Sequence, residues 1–151
     1  MRPPTKASLS SSLMFVLMAI ALNLWADSVP SLANMAKVEI YYYGWDVLTR
    51  SRISLDTIRK NPKIATVIHD KFEISEFVRW LRISDMSQQP DRLSGMSATE
   101  DPRLVIDFFD LKNRRVTYYA SRFRFLSEDS RKSRPIDDIF RRRFTFAENG
   151  S

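Results

Sequence analysis

The chain has 151 residues, a formal net charge of +6 and no cysteine. Its length suits one domain, and its 44% hydrophobic and 12% aromatic residues are enough to form a buried core. The missing cysteines exclude disulfides, thiolate metal sites and a cysteine nucleophile, and the single histidine excludes a multi-histidine metal site within one chain. We therefore expect neither a metal nor a cofactor.

Residues 1–33 have the features of a cleavable export signal. Arg2 and Lys6 give a basic start, and the run 13–26 that follows is apolar apart from one asparagine. A Ser-Leu-Ala sequence ending at Ala33 supplies the small residues that signal peptidase requires. The apolar run is shorter than the roughly 20 residues that a membrane-spanning helix needs. The pattern therefore predicts cleavage after Ala33.

Cleavage after Ala26 and an uncleaved membrane anchor are the alternatives. Removal of the signal would leave residues 34–151 as a single domain, with a long loop at 84–102. The protein would then be periplasmic or secreted.

Two strands and two helices are predicted in the first half of this domain. Their ranges are strand 37–44, helix 54–60, strand 63–68 and helix 71–83. Ser54 suits the N-cap of the first helix, and Asp70 with Glu73 has the spacing of a capping box for the second. The second helix has one apolar stripe, formed by Ile74, Phe77, Val78 and Leu81. This stripe needs a sheet to cover.

The region 103–125 is predicted to form one long β-hairpin. Two runs of β-branched and aromatic residues flank a polar turn. Asp110 suits the first position of a type I turn, and Asn113 tolerates the left-handed conformation that a three-residue loop requires. This turn sets a register that pairs Phe108 with Val116 on the core face. The same register pairs Ile106 with Tyr118, Leu104 with Ala120, Asp107 with Thr117, Phe109 with Arg115 and Val105 with Tyr119.

A final helix is predicted at 136–144, because Pro135 and two acidic residues suit a helix start. Together the elements predict an α+β fold with an antiparallel sheet of about four strands, at 37–44, 63–68, 103–110 and 114–125. The two main helices should cover one face. The other face should be exposed, and would hold Phe109, Arg115, Thr117 and Tyr119.

Arginines interleaved with aromatic residues crowd the last forty positions. The candidate binding residues are Arg115, Arg122, Arg124, Arg141, Arg142 and Arg143. Outside the cytoplasm this composition favours an acidic protein, an acidic polysaccharide or an anionic lipid surface as partner. With no catalytic motif in the sequence, we expect a non-enzymatic binding protein of the bacterial envelope.

The same residues are compatible with three other functions. A small hydrolase could use His69 with nearby carboxylates, but the pattern favours Asp70 as a helix cap and His69 as the end of a strand. A groove for single-stranded nucleic acid would fit the basic aromatic run, but only if the N-terminus is not an export signal. Tyr41 and Tyr43 could stack on sugar rings with Trp45, although alternation sends Tyr42 to the opposite side of the strand.

Overall fold

The computed structural model describes residues 31–49, 51–88, 101–128 and 132–145. Residues 1–30 of the predicted signal and residues 89–100 of the predicted loop lie outside the described residues. The strands are β1 Met35–Tyr42, β2 Ile64–Ile68, β3 Ser87–Gln88, β4 Leu104–Asp110, β5 Arg115–Ala120, β6 Arg124–Ser127 and β7 Lys132–Pro135. The α-helices are α1 Leu55–Lys60, α2 Lys71–Leu81 and α3 Asp138–Thr145, and short 3-10 turns occupy Leu32–Asn34 and Ile83–Asp85.

The strands form one antiparallel sheet in the order β2-β1-β4-β5-β6-β7-β3. The predicted α+β class and the antiparallel sheet are confirmed. The described residues already form more strands than predicted, with six strands of four or more residues and the two-residue β3. Two strands were not predicted: β3 lies within the predicted loop 84–102, and β7 lies in the stretch after β6, for which no element is predicted.

The predicted strand 114–125 is wrong in one respect, because it is broken by a turn at Ser121. The Ser121 hydroxyl accepts hydrogen bonds from the backbone N–H groups of Phe123 and Arg124, at 3.2 and 3.1 Å. A serine hydroxyl that binds the backbone ahead of it stabilises a turn instead of an extended strand. The chain therefore reverses here, and β6 returns alongside β5.

The hairpin of β4 and β5 has the predicted register in all six cross-strand pairs. Asn113 has a φ of 59°, as a left-handed loop residue should. The Asp110 carboxylate accepts hydrogen bonds from the backbone N–H groups of Lys112 and Arg114, at 2.9 and 2.8 Å. It also forms an ion pair with the Arg114 guanidinium, whose Nε lies at 2.7 Å. The turn residues therefore fix the hairpin as the sequence predicts.

This turn gives the hairpin a pH dependence. Burial of the Asp110 carboxyl alone would raise its pKa, but the hydrogen bonds from Arg114 and Lys112 outweigh burial and lower the pKa below its usual range. Since the folded pKa is depressed, the stabilisation is complete above the unfolded value of about 3.9 and is lost as pH falls through the folded pKa. We expect Asp110→Asn to be less stable than the wild type at pH 7 in urea denaturation, and this difference to shrink toward pH 2. A difference that is constant over this range would contradict the account.

The main core lies between one face of the sheet and helices α2 and α3. Helix α2 begins as predicted, because the Asp70 carboxylate accepts from the Glu73 N–H at 2.9 Å. Helix α3 begins at Asp138, two residues later than predicted, since the Asp137 carboxylate caps it through the Phe140 N–H at 2.7 Å. Ring contacts tie the two helices to the sheet and to each other. They join Trp80 to Phe140 and Phe144, Phe77 to Phe144, and Phe125 to Phe140.

The other face of the sheet is more covered than predicted. Helix α1 lies on it, where its Ile58 packs with Ile53 and Val105 in a second small cluster. Of the residues expected at an exposed face, Thr117 is buried, Phe109 and Tyr119 are half-buried, and only Arg115 is exposed. The prediction of an exposed face is therefore wrong, because this face is largely covered. The cause is that the short helix α1, whose Ser54 cap is confirmed, supplies a second layer.

Candidate functional site

A cleft of about 440 Å³ lies where three separate parts of the chain meet at one end of the sheet. The loop after β1, the turn between β5 and β6, and helix α3 each contribute to its walls. The lining residues are Trp45, Asp46, Leu48, Arg122, Phe123 and Arg141. This volume is within the range of ligand pockets, roughly 300 to 1,000 Å³.

A closed ring of three hydrogen bonds holds the walls together. The Trp45 indole N–H donates to the Arg141 carbonyl at 3.0 Å. The Arg141 guanidinium donates to the Arg122 carbonyl at 2.6 Å, and the Arg122 guanidinium donates back to the Trp45 carbonyl at 2.9 Å. Each side chain thus binds the backbone of the next residue in the ring. Side chains whose partners are backbone atoms fix the cleft before any ligand arrives.

The loop that carries Trp45 is shaped by Gly44 and Val47. Gly44 has a φ of 116°, which L-residues rarely adopt, and a Cβ at this position would lie 2.8 Å from a methyl of Val47. The Arg122 guanidinium also donates to the Val47 carbonyl at 3.1 Å. The Trp45 ring packs against Tyr42 and Phe140, with ring centroids 5.6 and 6.4 Å apart. The loop is therefore fixed from both sides.

The lining of the cleft carries one more positive than negative charge, and two nearby arginines have carboxylate partners: Asp138 lies 3.3 Å from the Arg141 guanidinium, and Asp101 lies 3.9 Å from that of Arg103. Arg122 and Arg141 outnumber Asp46 among the lining residues. Arg103, only 4% exposed, adds a third guanidinium close by, and burial together with repulsion by Arg122 lowers its pKa while Asp101 partly opposes this. Within the described ranges, the Nε and Nη1 atoms of Arg103 and the Nε atom of Arg141 are buried without a hydrogen-bond partner. An anionic group in the cleft would partly neutralise this excess.

Two large apolar side chains stand at the cleft without being buried. Leu48 is 86% exposed and Phe123 is 62% exposed. Isolated exposed apolar residues need no explanation, but two beside a cleft with two arginines form a surface with both apolar and cationic character. Such a surface can bind an apolar side chain and an acidic group at the same time.

The six arginines predicted as a binding surface do not form one patch. Arg122 and Arg141 line the cleft. Arg115 is exposed at the start of β5, and the Arg124 guanidinium donates to the Ser133 hydroxyl. Arg142 is exposed and donates to the Asp138 carbonyl within α3. The Arg143 guanidinium stacks 4.5 Å from the Trp80 ring.

The remaining lining residues are less visible in the sequence. The sequence suggests Trp45 only as part of a platform for sugar rings. Its burial with Tyr42 places both rings in the main core, away from Tyr41 and Tyr43. Asp46 and Leu48 follow in the same loop and belong to no pattern. The one signal available was Gly44, which indicates a bend, because a bend at a strand end is a place where a ligand can approach the backbone.

Two carboxylates considered as partners of His69, those of Asp70 and Glu39, are engaged by other groups. His69 is exposed between β2 and α2, and the Asp70 carboxylate is used as the cap of α2. Glu39 is close enough for His69 to act on its pKa. Burial alone would raise the pKa of Glu39, but hydrogen bonds from Lys37 and Tyr41, with the charges of Lys37 and His69, lower it. The Glu39 carboxylate is thus already hydrogen-bonded by Lys37 and Tyr41.

Comparison with protein-family models, with curated proteins and with solved structures found no match to this chain. Among the described residues, none of the helices has the length and apolar character needed to cross a membrane. The same residues contain no group of three or more histidine, aspartate or glutamate side chains arranged to hold a metal ion.

Proposed function

We propose that this protein is an exported, non-enzymatic binding protein of the bacterial envelope that receives an acidic and apolar segment of another protein. The proposal is based on the cleft, in which Arg122 and Arg141 lie beside Trp45, Leu48 and Phe123. The predicted signal at residues 1–33 supports the location. Cleavage after Ala33 would leave β1, which begins at Met35, intact.

The chemistry of the walls favours a protein segment over the other acidic partners. Arg122 and Arg141 suit carboxylates, and guanidinium groups near a low-dielectric wall bind them more strongly than they would in bulk water. Leu48 adds an aliphatic surface that a polysaccharide would not use, and Phe123 extends this apolar surface. Asp46 at the cleft disfavours a densely charged polyanion such as nucleic acid or a lipid bilayer surface. A segment with alternating acidic and apolar side chains matches both kinds of wall.

The ring of hydrogen bonds supports binding without rearrangement. Trp45, Arg122 and Arg141 are ordered by one another, so a ligand would not have to order them. The two exposed side chains, Leu48 and Phe123, are the ones that a ligand would cover. These two residues are therefore the ones to change in a test, because their truncation leaves the ring unaltered.

The binding test uses a fluorescent peptide of alternating leucine and aspartate, measured by fluorescence anisotropy. Phe123→Ala is expected to weaken binding about tenfold or more, as truncation of a central aromatic contact does. The matched control is Leu111→Ala, because Leu111 is similarly exposed, at 68%, and lies in the β4–β5 turn. Equal affinities for the two variants would overturn the proposal.

A second variant separates a charge effect from a structural one. Asp46→Asn removes the negative charge of the cleft, so it is expected to tighten peptide binding about two- to fivefold at low salt, the scale of an exposed charge contact. Asp85→Asn, on a turn that does not line the cleft, should leave the affinity unchanged. Weaker binding by Asp46→Asn would contradict the charge assignment.

Three other probes distinguish the partner classes. A serine–aspartate peptide tests the need for apolar side chains, vesicles containing anionic lipid test a membrane surface, and single-stranded DNA tests nucleic acid. We expect each to bind more weakly than the leucine–aspartate peptide. If one of the three probes bound more tightly than the leucine–aspartate peptide, its class would be the better candidate for the partner.

A further inference from the structure

Strand β2 leaves one edge of the sheet without a neighbour among the described residues, because it is the first strand of the order. Its five residues, Ile64–Ile68, are uncharged and contain no proline. Ala65, Thr66 and Val67 are exposed. An open edge of this composition is a template for pairing with another strand unless charges or proline protect it.

The hydrogen-bond pattern determines which backbone groups are available at this edge. The Tyr43 N–H donates to the Arg103 carbonyl at 2.8 Å beside β4, so the odd-numbered residues of β1 bond to β4 and the backbone groups of Tyr42 point toward β2. Tyr42 pairs with Ile64 in the register of β1 and β2. Since bonded and non-bonded residues alternate in an antiparallel ladder, the even-numbered residues of β2 bond to β1. The N–H and C=O groups of Ala65 and Val67 therefore point outward.

The sequence of β2 is nearly symmetric about its centre. Ile64-Ala65-Thr66-Val67-Ile68 has isoleucine at both ends and threonine in the middle. If two copies pair antiparallel about Thr66, Ala65 of each copy lies opposite Val67 of the other, and these are the residues with free backbone groups. The two threonines then face each other as a non-bonded pair, and such threonine pairs are favourable.

The flanking charges agree with the same arrangement. Lys63 precedes the strand, and the exposed Asp70 follows it after His69. Antiparallel pairing places the basic end of one copy beside the acidic end of the other. We propose that β2 is a dimer interface, in which two copies of this chain join their sheets edge to edge about a two-fold axis at Thr66.

The chain has no cysteine, so a single introduced cysteine can form a disulfide only with the same residue of a second copy. A cysteine at Thr66 therefore tests whether the two-fold axis passes there. In a non-bonded antiparallel pair the Cα atoms lie about 4.5 Å apart, which is within the roughly 4.4–6.8 Å range of disulfides. The full-length Thr66→Cys chain is therefore expected to form a covalent dimer on mild oxidation. Ile139→Cys is the control, since Ile139 is 65% exposed on α3. It should stay monomeric on a non-reducing gel.

A double variant tests the interface without a cross-link. In Ala65→Lys/Val67→Lys the two copies would bring four ammonium groups together, so the dimer dissociation constant is expected to rise at least about 100-fold in sedimentation analysis. Lysine at an edge is compatible with the folded monomer, and circular dichroism checks this. Ile139→Lys, the matched control, should leave the dissociation constant unchanged.

Two results would overturn the inference. One is a wild-type chain that is monomeric at all concentrations and whose Thr66→Cys variant does not cross-link. The other is a dimer that survives both lysines, since it would use a different surface. Neither result bears on the cleft, because β2 contributes no residue to it.

Discussion

Removal of the Asp107 carboxylate is expected to lower the free energy of unfolding by about 3–5 kcal/mol, the typical cost of breaking a buried ion pair. Asp107 is 1% exposed and accepts two hydrogen bonds from the Arg59 guanidinium, at 2.7 and 2.9 Å, and one from the Thr117 hydroxyl at 2.6 Å. This pair attaches α1 to the centre of the sheet. The hydrogen bond and charge of Asp107 raise the pKa of Arg59, so Arg59 stays charged throughout the accessible pH range.

A double-mutant cycle measures the interaction energy between Arg59 and Asp107 apart from the effect of each side chain alone. Asp107→Ala leaves a guanidinium that is 13% exposed, and Arg59→Met leaves a buried carboxylate, so each single variant should unfold at lower urea concentration than the wild type. Arg59→Met/Asp107→Leu removes both charges, and we expect it to be more stable than the sum of the single effects predicts. Additive effects would show that the pair does not attach α1 as described.

Replacement of Trp45 by alanine is expected to be the largest effect at the cleft. Truncation of a buried tryptophan or phenylalanine costs about 3–5 kcal/mol. Trp45 is 7% exposed and packs against the rings of Tyr42 and Phe140, and it supplies two groups of the hydrogen-bond ring, its indole N–H and its carbonyl. The measurement is the urea midpoint, read by circular dichroism, because Trp45 is itself a fluorophore.

Trp45→Phe is the control for this prediction. It keeps an aromatic ring between Tyr42 and Phe140 but loses the hydrogen bond to the Arg141 carbonyl. A single hydrogen bond contributes about 0.5–1.5 kcal/mol, so most of the stability should be retained. If the two variants lost equal stability, the indole N–H, and not the packing of the ring, would dominate the site.

The sequence predicted the hairpin better than any other element because its signals are local. Asp110 and Asn113 have turn preferences that act within five residues, and the alternation of apolar residues on both sides agrees with them. The turn at Ser121 was missed, although a signal existed. Within the predicted strand 114–125, the core-facing apolar residues are the even-numbered Val116, Tyr118 and Ala120 and then the odd-numbered Phe125. Such a change of parity indicates that extra residues interrupt the strand.

The cleft could not be predicted in the same way. Its ring joins residues 96, 77 and 19 positions apart in the sequence, and in each bond a side chain meets a backbone carbonyl. Every residue has a carbonyl, so such a partner has no sequence signature. The crowded arginines predicted a basic surface, but several bind carbonyls or stack on rings. Arg134, for example, donates twice to the Leu81 carbonyl at the end of α2.

The most direct test of the cleft is nuclear magnetic resonance of the full chain titrated with the leucine–aspartate peptide. We expect the signals of the Trp45 indole N–H and the Arg122 side-chain Nε–H to shift progressively with peptide, while that of the indole N–H of Trp80, which does not line the cleft, stays in place. Shifts confined to Trp80 and Arg143, or to the exposed Arg115, would place the acidic partner on another surface. That result would contradict the proposed role of the cleft.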